Sequence, residues 1–433
     1  MTALARLAAL VLGVTGCAGT TGTVTVSLLT APDSHLLDAV QRLRLTVTQP
    51  HQVVEATRGS SGFDLALEID ATTTSGAVIV EGFDAGGALI ASGQSPPFAL
   101  DALNASVAIY VAAPNSIAIA PQPLGAARSG VAAAAISYGA AIAGGLEGDP
   151  GAPSSSIAVY NAFDHSLSEG MPMPAPRAGV AMATGNGADA YLFGGTGGDG
   201  NMTGTLWRFD TTVAPNGQFT TLTDQTAAAG FARTGQLLVP IGSAQFLITG
   251  TPVLEFNGTA LTARSDVPGL PPAGAAVLGA AVPTAVFAGP SLMRFRGDQF
   301  DQLGSGRDGA AATTLPDGRI AVLGGTPAST DATVVDPTAG TVTTVPGALS
   351  AARIHPAVAT TSRHVVVAGG TDAAGAPIPT ADVLDARTLA LVATLPILAR
   401  TGGFAVALPS DQVLLGGGAP AAAALELFTP EPP

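Results

Sequence analysis

The sequence predicts an all-β protein in two parts, a small β-sandwich over residues 23–113 and an array of repeated β-sheets over residues 114–433. Three observations predict this class. Short runs between residues 23 and 111 alternate apolar and polar side chains, as half-buried strands do. After residue 114, a unit that contains a small residue followed by Gly recurs seven times. Each pair follows a continuous apolar run, which is typical of a strand buried on both faces.

The first element is an export signal over residues 1–16. Arg6 precedes an apolar run from Leu7 to Val14 that is too short to span a bilayer and ends in small residues. The junction Val14-Thr15-Gly16-Cys17 resembles the lipobox of bacterial lipoproteins and contains the only Cys of the chain. The resemblance implies lipidation of Cys17, cleavage before it, and a lipid-anchored tether over residues 17–22. Since Ala18 and Gly19 follow, it also implies the outer membrane.

The second element is the β-sandwich of residues 23–113. Period-two runs such as Thr23–Val26, Leu43–Val47 and Val107–Val111 predict strands, and Asp84-Ala85-Gly86-Gly87 predicts a hairpin turn. A region with several short strands in about 90 residues resembles immunoglobulin-like or transthyretin-like modules. His35 and His51 lie in this part without partner ligands in the sequence, so they are predicted to be solvated loop residues.

The third element is the repeat, in which a buried strand ends at a small-Gly pair and another strand follows. Close approach of neighbouring backbones and positive φ angles both explain a need for Gly at this position. The seven pairs have their second Gly at Gly145, Gly195, Gly250, Gly289, Gly325, Gly370 and Gly417. In units three and four, the first Gly of the pair is replaced by Thr249 and Ala288.

The repeat resembles the kelch and galactose-oxidase-like β-propeller family between Ser116 and Phe428. The fifth unit shows the resemblance well, with Arg307-Asp308-Gly309 before the strand and Leu315–Gly325 through the Gly pair. The family's Tyr after the pair occurs only as Tyr160, and Trp207 lies one strand earlier than the family's Trp. The resemblance implies a seven-bladed kelch-like propeller over residues 114–433, with six or eight blades as alternatives.

Ring closure gives a separate expectation. The last unit ends after its third strand, which leaves an edge that propellers close with a strand from the other end of the repeat. Ser116–Ala120 is therefore predicted to pair with Leu425–Phe428.

Composition excludes several classes of partner and site. The formal charge is −14, and all 17 basic residues are Arg, so duplex nucleic acid is an unfavourable partner. One Cys, predicted to be lipidated, excludes an internal disulfide, a Cys-based metal site and the Cys–Tyr crosslink of a copper radical site. His355 and His364 lack a carboxylate pattern with metal spacing and are predicted to be core or turn residues. The sequence predicts no metal, no cofactor and no catalytic residue.

One constellation recurs at equivalent positions, because an Arg precedes the first strand of every unit except the fourth. Antiparallel strands place this connection on the same face as the loop after the Gly pair. That loop is long in three units and carries Asp149, Asp199 and Asp372. The functional interpretation is a funnel that binds carboxylate, phosphate or uronate groups, and the structural one is that the Arg bonds carbonyls or an acid of the adjacent blade. The six arginines are Arg128, Arg177, Arg233, Arg307, Arg353 and Arg400.

Taken together, these features predict a cell-envelope lipoprotein whose repeat domain binds a polysaccharide or an envelope protein through its loop face. Two alternatives stay open. One is a glycan-acting hydrolase or lyase, which would need a pair of catalytic carboxylates on that face. The other is a structural spacer, which would need an apolar funnel without clustered arginines.

Overall fold

The computed structural model describes residues 21–59, 63, 67–70, 74–99, 105–185, 187–267, 269–271, 274–278, 282–398 and 400–433. The predicted signal of residues 1–16 and the predicted lipidation site Cys17 lie outside this part of the chain. Within it, almost all regular structure is β-strand, as predicted, and the helix is the short segment Leu36–Ala39. No helix in the described ranges is long and apolar enough to cross a membrane.

Residues 21–112 form two sheets that share one hydrophobic core. In the first, strand Thr21–Leu29 lies between Leu67–Asp70 (antiparallel) and Ala105–Tyr110 (parallel). Their shared core combines Val26, Val107 and Ile109 with buried residues of the second sheet, among them Leu43 and Val80. The second sheet is antiparallel and contains Gln52–Thr57, Arg42–Val47, Val78–Phe83 and Leu89–Gln94, in that spatial order. Ser75–Gly76 and Phe98–Ala99 form a further short pair.

Residues 116–429 form seven four-stranded antiparallel sheets, here numbered sheets 1 to 7 in chain order. Sheet 1 contains Ala132–Ile136, Gly139–Ala143, Ile157–Asn161 and Leu167–Glu169. Sheet 2 contains Ala181–Thr184, Asp189–Phe193, Thr205–Asp210 and Gln218–Asp224. Sheet 3 contains Leu238–Gly242, Gln245–Ile248, Val253–Phe256 and Leu261–Arg264. Sheet 4 contains Ala275–Leu278, Thr284–Phe287, Ser291–Arg296 and Gln299–Ser305. Sheet 5 contains Asp308–Thr314, Ile320–Thr326, Ala332–Asp336 and Thr341–Val345. Sheet 6 contains Ala357–Thr360, His364–Ala368, Thr380–Asp385 and Leu391–Pro396, and sheet 7 contains Thr401–Ala407, Val413–Ala419, Glu426–Thr429 and Ser116–Ile119. A small extra sheet joins Arg128–Ser129, Leu146–Glu147 and Ala152–Pro153.

The fourth strand of sheet 7 comes from the start of the repeat. Ser116–Ile119 pairs antiparallel with Glu426–Thr429, with Ile117 opposite Phe428 and Ala118 opposite Leu427. The predicted pairing of these two segments is confirmed. It covers the backbone edge that the third strand of sheet 7 would otherwise present.

The order of contacts among the seven sheets is cyclic. The first strand of each sheet contacts the first strand of the next, and the first strand of sheet 7 contacts that of sheet 1. The cores follow the same order: outside the N-terminal sheets, each hydrophobic cluster joins two neighbouring sheets. Ile142 and Tyr160 of sheet 1, for example, share a cluster with Leu414 and Leu427 of sheet 7.

Close contact between neighbouring sheets explains the Gly pairs. A Cβ on Gly144 would lie 2.5 Å from the backbone oxygen of Arg177 in the next sheet, and both Gly144 and Gly145 have positive φ. The Gly145 N–H donates to that same oxygen at 3.0 Å. The requirement predicted for Gly, close backbone approach with positive φ, is confirmed here. Equivalent bonds from Gly195 and Gly325 reach the oxygens of Arg233 and Arg353.

The seventh pair differs by one residue from the sequence assignment. Positive φ falls on Gly417 and Gly418, with 63° and 87°, and Gly416 is not in that region. The residue after the pair is therefore Ala419, which lies opposite Thr401. Three consecutive glycines made the choice ambiguous in the sequence.

Candidate functional site: the arginine face

The six recurring arginines lie where the sequence placed them, beside the loops that follow the Gly pairs. For five of the six arginines, the residue after the Arg pairs with the residue after the Gly pair of the same sheet. Ala178 lies opposite Thr196, for example, and Ile354 opposite Thr371. These pairings place the two connections of those five sheets side by side. We call the face defined by Arg128, Arg177, Arg233, Arg307, Arg353 and Arg400 the arginine face.

The guanidinium groups are not displayed to solvent. Arg128 is 1% exposed and Arg353 0%, while Arg307 is half-buried and the most accessible of the set. Burial lowers the pKa of all six below the ordinary arginine value, because desolvation disfavours the charged form. The arginines are therefore part of the packed structure beneath the loops.

Three of the arginines make the same bond to the backbone. The Nη1 atoms of Arg128, Arg233 and Arg353 donate to the carbonyls of Gly144, Thr249 and Gly369, at 2.9, 2.8 and 3.2 Å, each 16 residues further along the chain. Each acceptor is the first residue of the pair. The same Nη1 atoms also reach a carbonyl at or just before the third strand, in Ser156, Pro252 and Thr380, at 3.1, 2.9 and 2.6 Å. Each of these three arginines thus ties together the two ends of a loop in its own sheet.

Two arginines also have carboxylate partners. Arg353 lies 3.0 Å from the Asp382 carboxylate, and both side chains are 0% exposed. Arg400 forms a buried ion pair with Glu426. Burial raises the pKa of Glu426 in spite of the nearby guanidinium, and its carboxylate also accepts from the Leu398 N–H at 3.0 Å. In both cases the acid belongs to the same sheet as the Arg, not to the adjacent one as the structural interpretation expected. Sheets 6 and 7 therefore neutralise their buried arginines internally.

The other four arginines have no ion pair with any residue that the structure describes. Nε and Nη2 of Arg128 and Nε of Arg177 are buried and form no hydrogen bond within the described ranges. Arg177 instead lies over the Trp207 ring, 4.8 Å from its centroid. Arg307 donates to the carbonyls of Val322 and Asp331 at 3.3 and 2.9 Å. These four cations bond to carbonyls or lie over a ring and form no ion pair with a described carboxylate, although carboxylates act electrostatically on Arg128, Arg177 and Arg307.

Sheet 4 lacks the arginine, and the structure shows what replaces it. The Gly250 N–H of sheet 3 donates to the Leu270 carbonyl at 2.8 Å, the contact that elsewhere goes to an Arg carbonyl. Leu270 thus supplies the backbone part of the motif without the cation. The feature that this position shares with the equivalent ones is the main-chain acceptor.

The predicted acidic residues mainly shape their own loops. Asp199 accepts from the backbone and side chain of Asn201, both at 3.0 Å, and these bonds lower its pKa. Asp372 accepts from the amides of Ala374 and Ala376 at 2.8 and 2.9 Å. Asp149 is exposed in a turn. The structure does not join these three carboxylates into one site, although Asp199 acts on Arg177 electrostatically.

The histidines are distributed as turn and core residues. His35 and His51 are exposed, His355 lies in a turn with φ of 52°, and His364 is a buried strand residue packed edge-on against Phe428. Across the described ranges, no group of three His, Cys, Asp or Glu side chains could hold a metal ion. No family model and no curated protein matches the chain. Function must therefore be argued from the geometry.

Sequence reasoning did not single out His165, which joins the two parts of the molecule. Its Nε2 accepts from the Tyr110 N–H at 3.2 Å, and its Nδ1 lies 2.7 Å from the Tyr160 hydroxyl. The ring is 1% exposed, and burial lowers its pKa to about 4. Because Nε2 accepts a backbone N–H, the neutral ring fits this position. Its sequence context, a polar turn, gave no signal of burial.

Proposed function

We propose that the chain is an exported, lipid-anchored envelope protein whose residues 114–433 form a seven-bladed kelch-like β-propeller that binds a partner at the arginine face. Residues 23–113 are a β-sandwich that spaces this domain from the anchor. The partner is a polysaccharide or envelope protein that presents carboxylates or phosphates. The single observation that carries the binding proposal is a set of four arginines on this face, three buried and one half-buried, that form no ion pair with a described carboxylate, unlike Arg353 and Arg400.

The propeller is supported by the cyclic contacts of seven four-stranded sheets and by the strand that closes sheet 7. Hydrophobic clusters between every two neighbours, including sheets 7 and 1, give the same order. Blades related in this way leave their connecting loops at two opposite faces. The arginine face is one of these two, and its loops rest on a rigid framework, as binding loops commonly do.

Anion binding is supported by the uneven charge compensation on this face. A buried cation without a counter-charge is costly, and a carboxylate or phosphate from a partner would lower that cost. Arg177 and Arg307 are the best placed of the four. Arg177 keeps an unpartnered Nε and lies under the loop of residues 196–205, and Arg307 is the most accessible of the set.

The binding proposal is tested by thermal unfolding of the purified chain with oligogalacturonate and with a neutral oligosaccharide of the same length. The acidic oligomer is expected to raise the unfolding midpoint by mass action, and the neutral one is not. Arg177→Gln and Arg307→Gln should abolish the shift. Arg319→Gln is the matched control, because Arg319 lies in the hairpin turn between the first two strands of sheet 5, away from this face. Equal shifts in all variants would contradict the proposal.

The anchor is tested separately. Cells that express the chain are fed an alkyne-bearing fatty acid, and the purified protein is assayed for label. The wild type is expected to carry the label and to partition with membranes, whereas Cys17→Ser should lose both properties. A labelled Cys17→Ser variant would refute the predicted lipidation site.

A further inference from the structure

A cleft lies at the face of sheets 6 and 7 opposite the arginine face. It occupies about 340 Å³ between strand Leu89–Gln94 of the N-terminal sheets and the turns that join the first two strands of sheets 6 and 7. Residues 429–433 form its third side. Ligand pockets often form where two packed units meet, and this volume falls in their usual size range.

The walls of the cleft are cross-linked by hydrogen bonds. The Ser92 hydroxyl donates to the Pro430 carbonyl at 3.0 Å, which ties the N-terminal sheets to residues 429–433. On the opposite wall, the Gln412 amide donates to the Thr429 hydroxyl at 3.0 Å and accepts from Ser410 at 3.1 Å. Ser92, Ser410, Gln412 and Thr429 are all buried. Their positions are therefore set before any ligand arrives.

Other polar groups at the cleft have spare hydrogen-bonding capacity. The Gln94 amide and the Glu431 carboxylate form no hydrogen bond with another residue in the described ranges. The Asp411 carboxylate is held by the Ser362 N–H and hydroxyl, at 2.7 and 2.6 Å, and retains acceptor capacity. Donors and acceptors are thus both available, and proline rings supply apolar surface between them.

The lining disfavours anions. Its described residues include the carboxylates Asp411 and Glu431 but no basic side chain, so an anion would be repelled. The same residues include no aromatic ring that would hold a quaternary ammonium group. Hydroxyl groups, which donate and accept at once, match this mixed set. At roughly 30 Å³ per water, the volume holds about eleven waters, which is the space of one or two sugar rings.

We propose that this cleft binds a neutral sugar of one or two rings. Gln94 and Glu431 provide the free hydrogen-bonding groups, and the cross-linked turn of Ser410–Gln412 forms the fixed wall. This site is independent of the arginine face, since it shares no residue with it and takes an uncharged ligand.

The test is saturation-transfer NMR of the purified chain with glucose, galactose, mannose and N-acetylglucosamine, and with glucuronate and choline as charged probes. We expect transfer to at least one neutral sugar and weaker or no transfer to the charged probes. Gln94→Leu should weaken binding about 3- to 10-fold, as expected for loss of a hydrogen bond. Gln299→Leu, an exposed glutamine of sheet 4, is the matched control and should leave binding unchanged.

Two further variants keep the test decisive. Glu431 is exposed, so Glu431→Gln tests the site should Gln94→Leu fail to fold. Arg177→Gln, at the other face, should leave sugar binding intact, which separates this proposal from the one above. Absence of transfer to every neutral sugar, transfer insensitive to both cleft variants, or stronger transfer to choline or glucuronate would each overturn the proposal.

Discussion

Sheets 3 and 6 hold the same arginine in different electrostatic surroundings. Arg233 of sheet 3 is surrounded by the carbonyls of Gly230, Thr249 and Pro252, and no carboxylate pairs with it among the described residues. Arg353 of sheet 6 makes equivalent carbonyl bonds and in addition an ion pair with Asp382. The comparison separates two features of this position. Closing the loop needs only the N–H donors of the guanidinium group, whereas neutralising the buried cation needs a carboxylate.

The largest expected effect is removal of the carboxylate in sheet 6. Asp382→Ala leaves the Arg353 cation buried without its partner, which should cost about 3–5 kcal/mol of unfolding free energy. Chemical denaturation measures the loss. The double variant Arg353→Met with Asp382→Leu should recover much of it, because a buried pair can be replaced by apolar groups at little cost. A double variant as unstable as the single one would refute this account of sheet 6.

The second effect concerns His165, a buried group that avoids the cost of charge by staying neutral. Its pKa is lowered from 6.5 to about 4 in the folded chain, so the unfolded state takes up the proton first as pH falls. The contribution of the neutral ring to the free energy of unfolding is fully present above pH 6.5 and is lost as pH falls towards 4. The total loss reaches a limit of about 3 kcal/mol. Thermal midpoints of the wild type and His165→Gln should therefore converge on acidification. A constant difference between them would contradict the assignment.

The third effect isolates the backbone contact that both sheets share. Gly194→Ala would place Cβ 2.5 Å from the Arg233 oxygen, whereas Gly200 has a similar positive φ and open space around it. Gly194→Ala should therefore cost about 2 kcal/mol more than Gly200→Ala, because only the former adds a clash to the backbone strain. Thermal unfolding of the two variants gives the difference. Equal losses would mean that the neighbouring sheet yields to the methyl group.

The smallest effect is removal of the arginine itself from sheet 3. Arg233→Met eliminates the buried charge and leaves the Thr249 and Pro252 carbonyls short of a donor, so the cost should be about 1–2 kcal/mol. The same substitution at Arg353 should cost more, since it leaves Asp382 buried and unpaired. If chemical denaturation gives the two variants equal losses, the ion pair contributes nothing and the contrast between the sheets fails.

Much of the strand content was predictable because a buried strand has a recognisable local pattern of apolar residues. The apolar runs that end in Gly pairs marked the second strand of every sheet, and the unpaired last unit predicted the strand Ser116–Ile119. The register of the seventh pair was missed, because three adjacent glycines satisfy the same pattern. The alternation of Leu43–Val47 was sufficient to predict a strand with one buried face.

The site was less predictable, since its partners are set by tertiary packing. The recurrence of Arg was visible, but nothing in the sequence distinguished Arg353, with its Asp382 partner, from Arg233, which has no ion-pair partner among the described residues. The role of Leu270 was equally hidden, because a backbone carbonyl carries no residue signature. His165 and the cleft beside Gln94 arise where the N-terminal sheets meet the others, and no local pattern encodes that contact.

The closing strand also has a consequence for how the protein is made. Ser116–Ile119 is synthesised before sheets 1 to 6, whereas its partner Glu426–Thr429 follows them in the chain. Sheets 1 to 6 can form in order from adjacent segments, while sheet 7 must wait for a strand that is distant in sequence, and pairing across such a separation is slow. Until that strand arrives, the early strand has an open edge that is available for pairing with other chains.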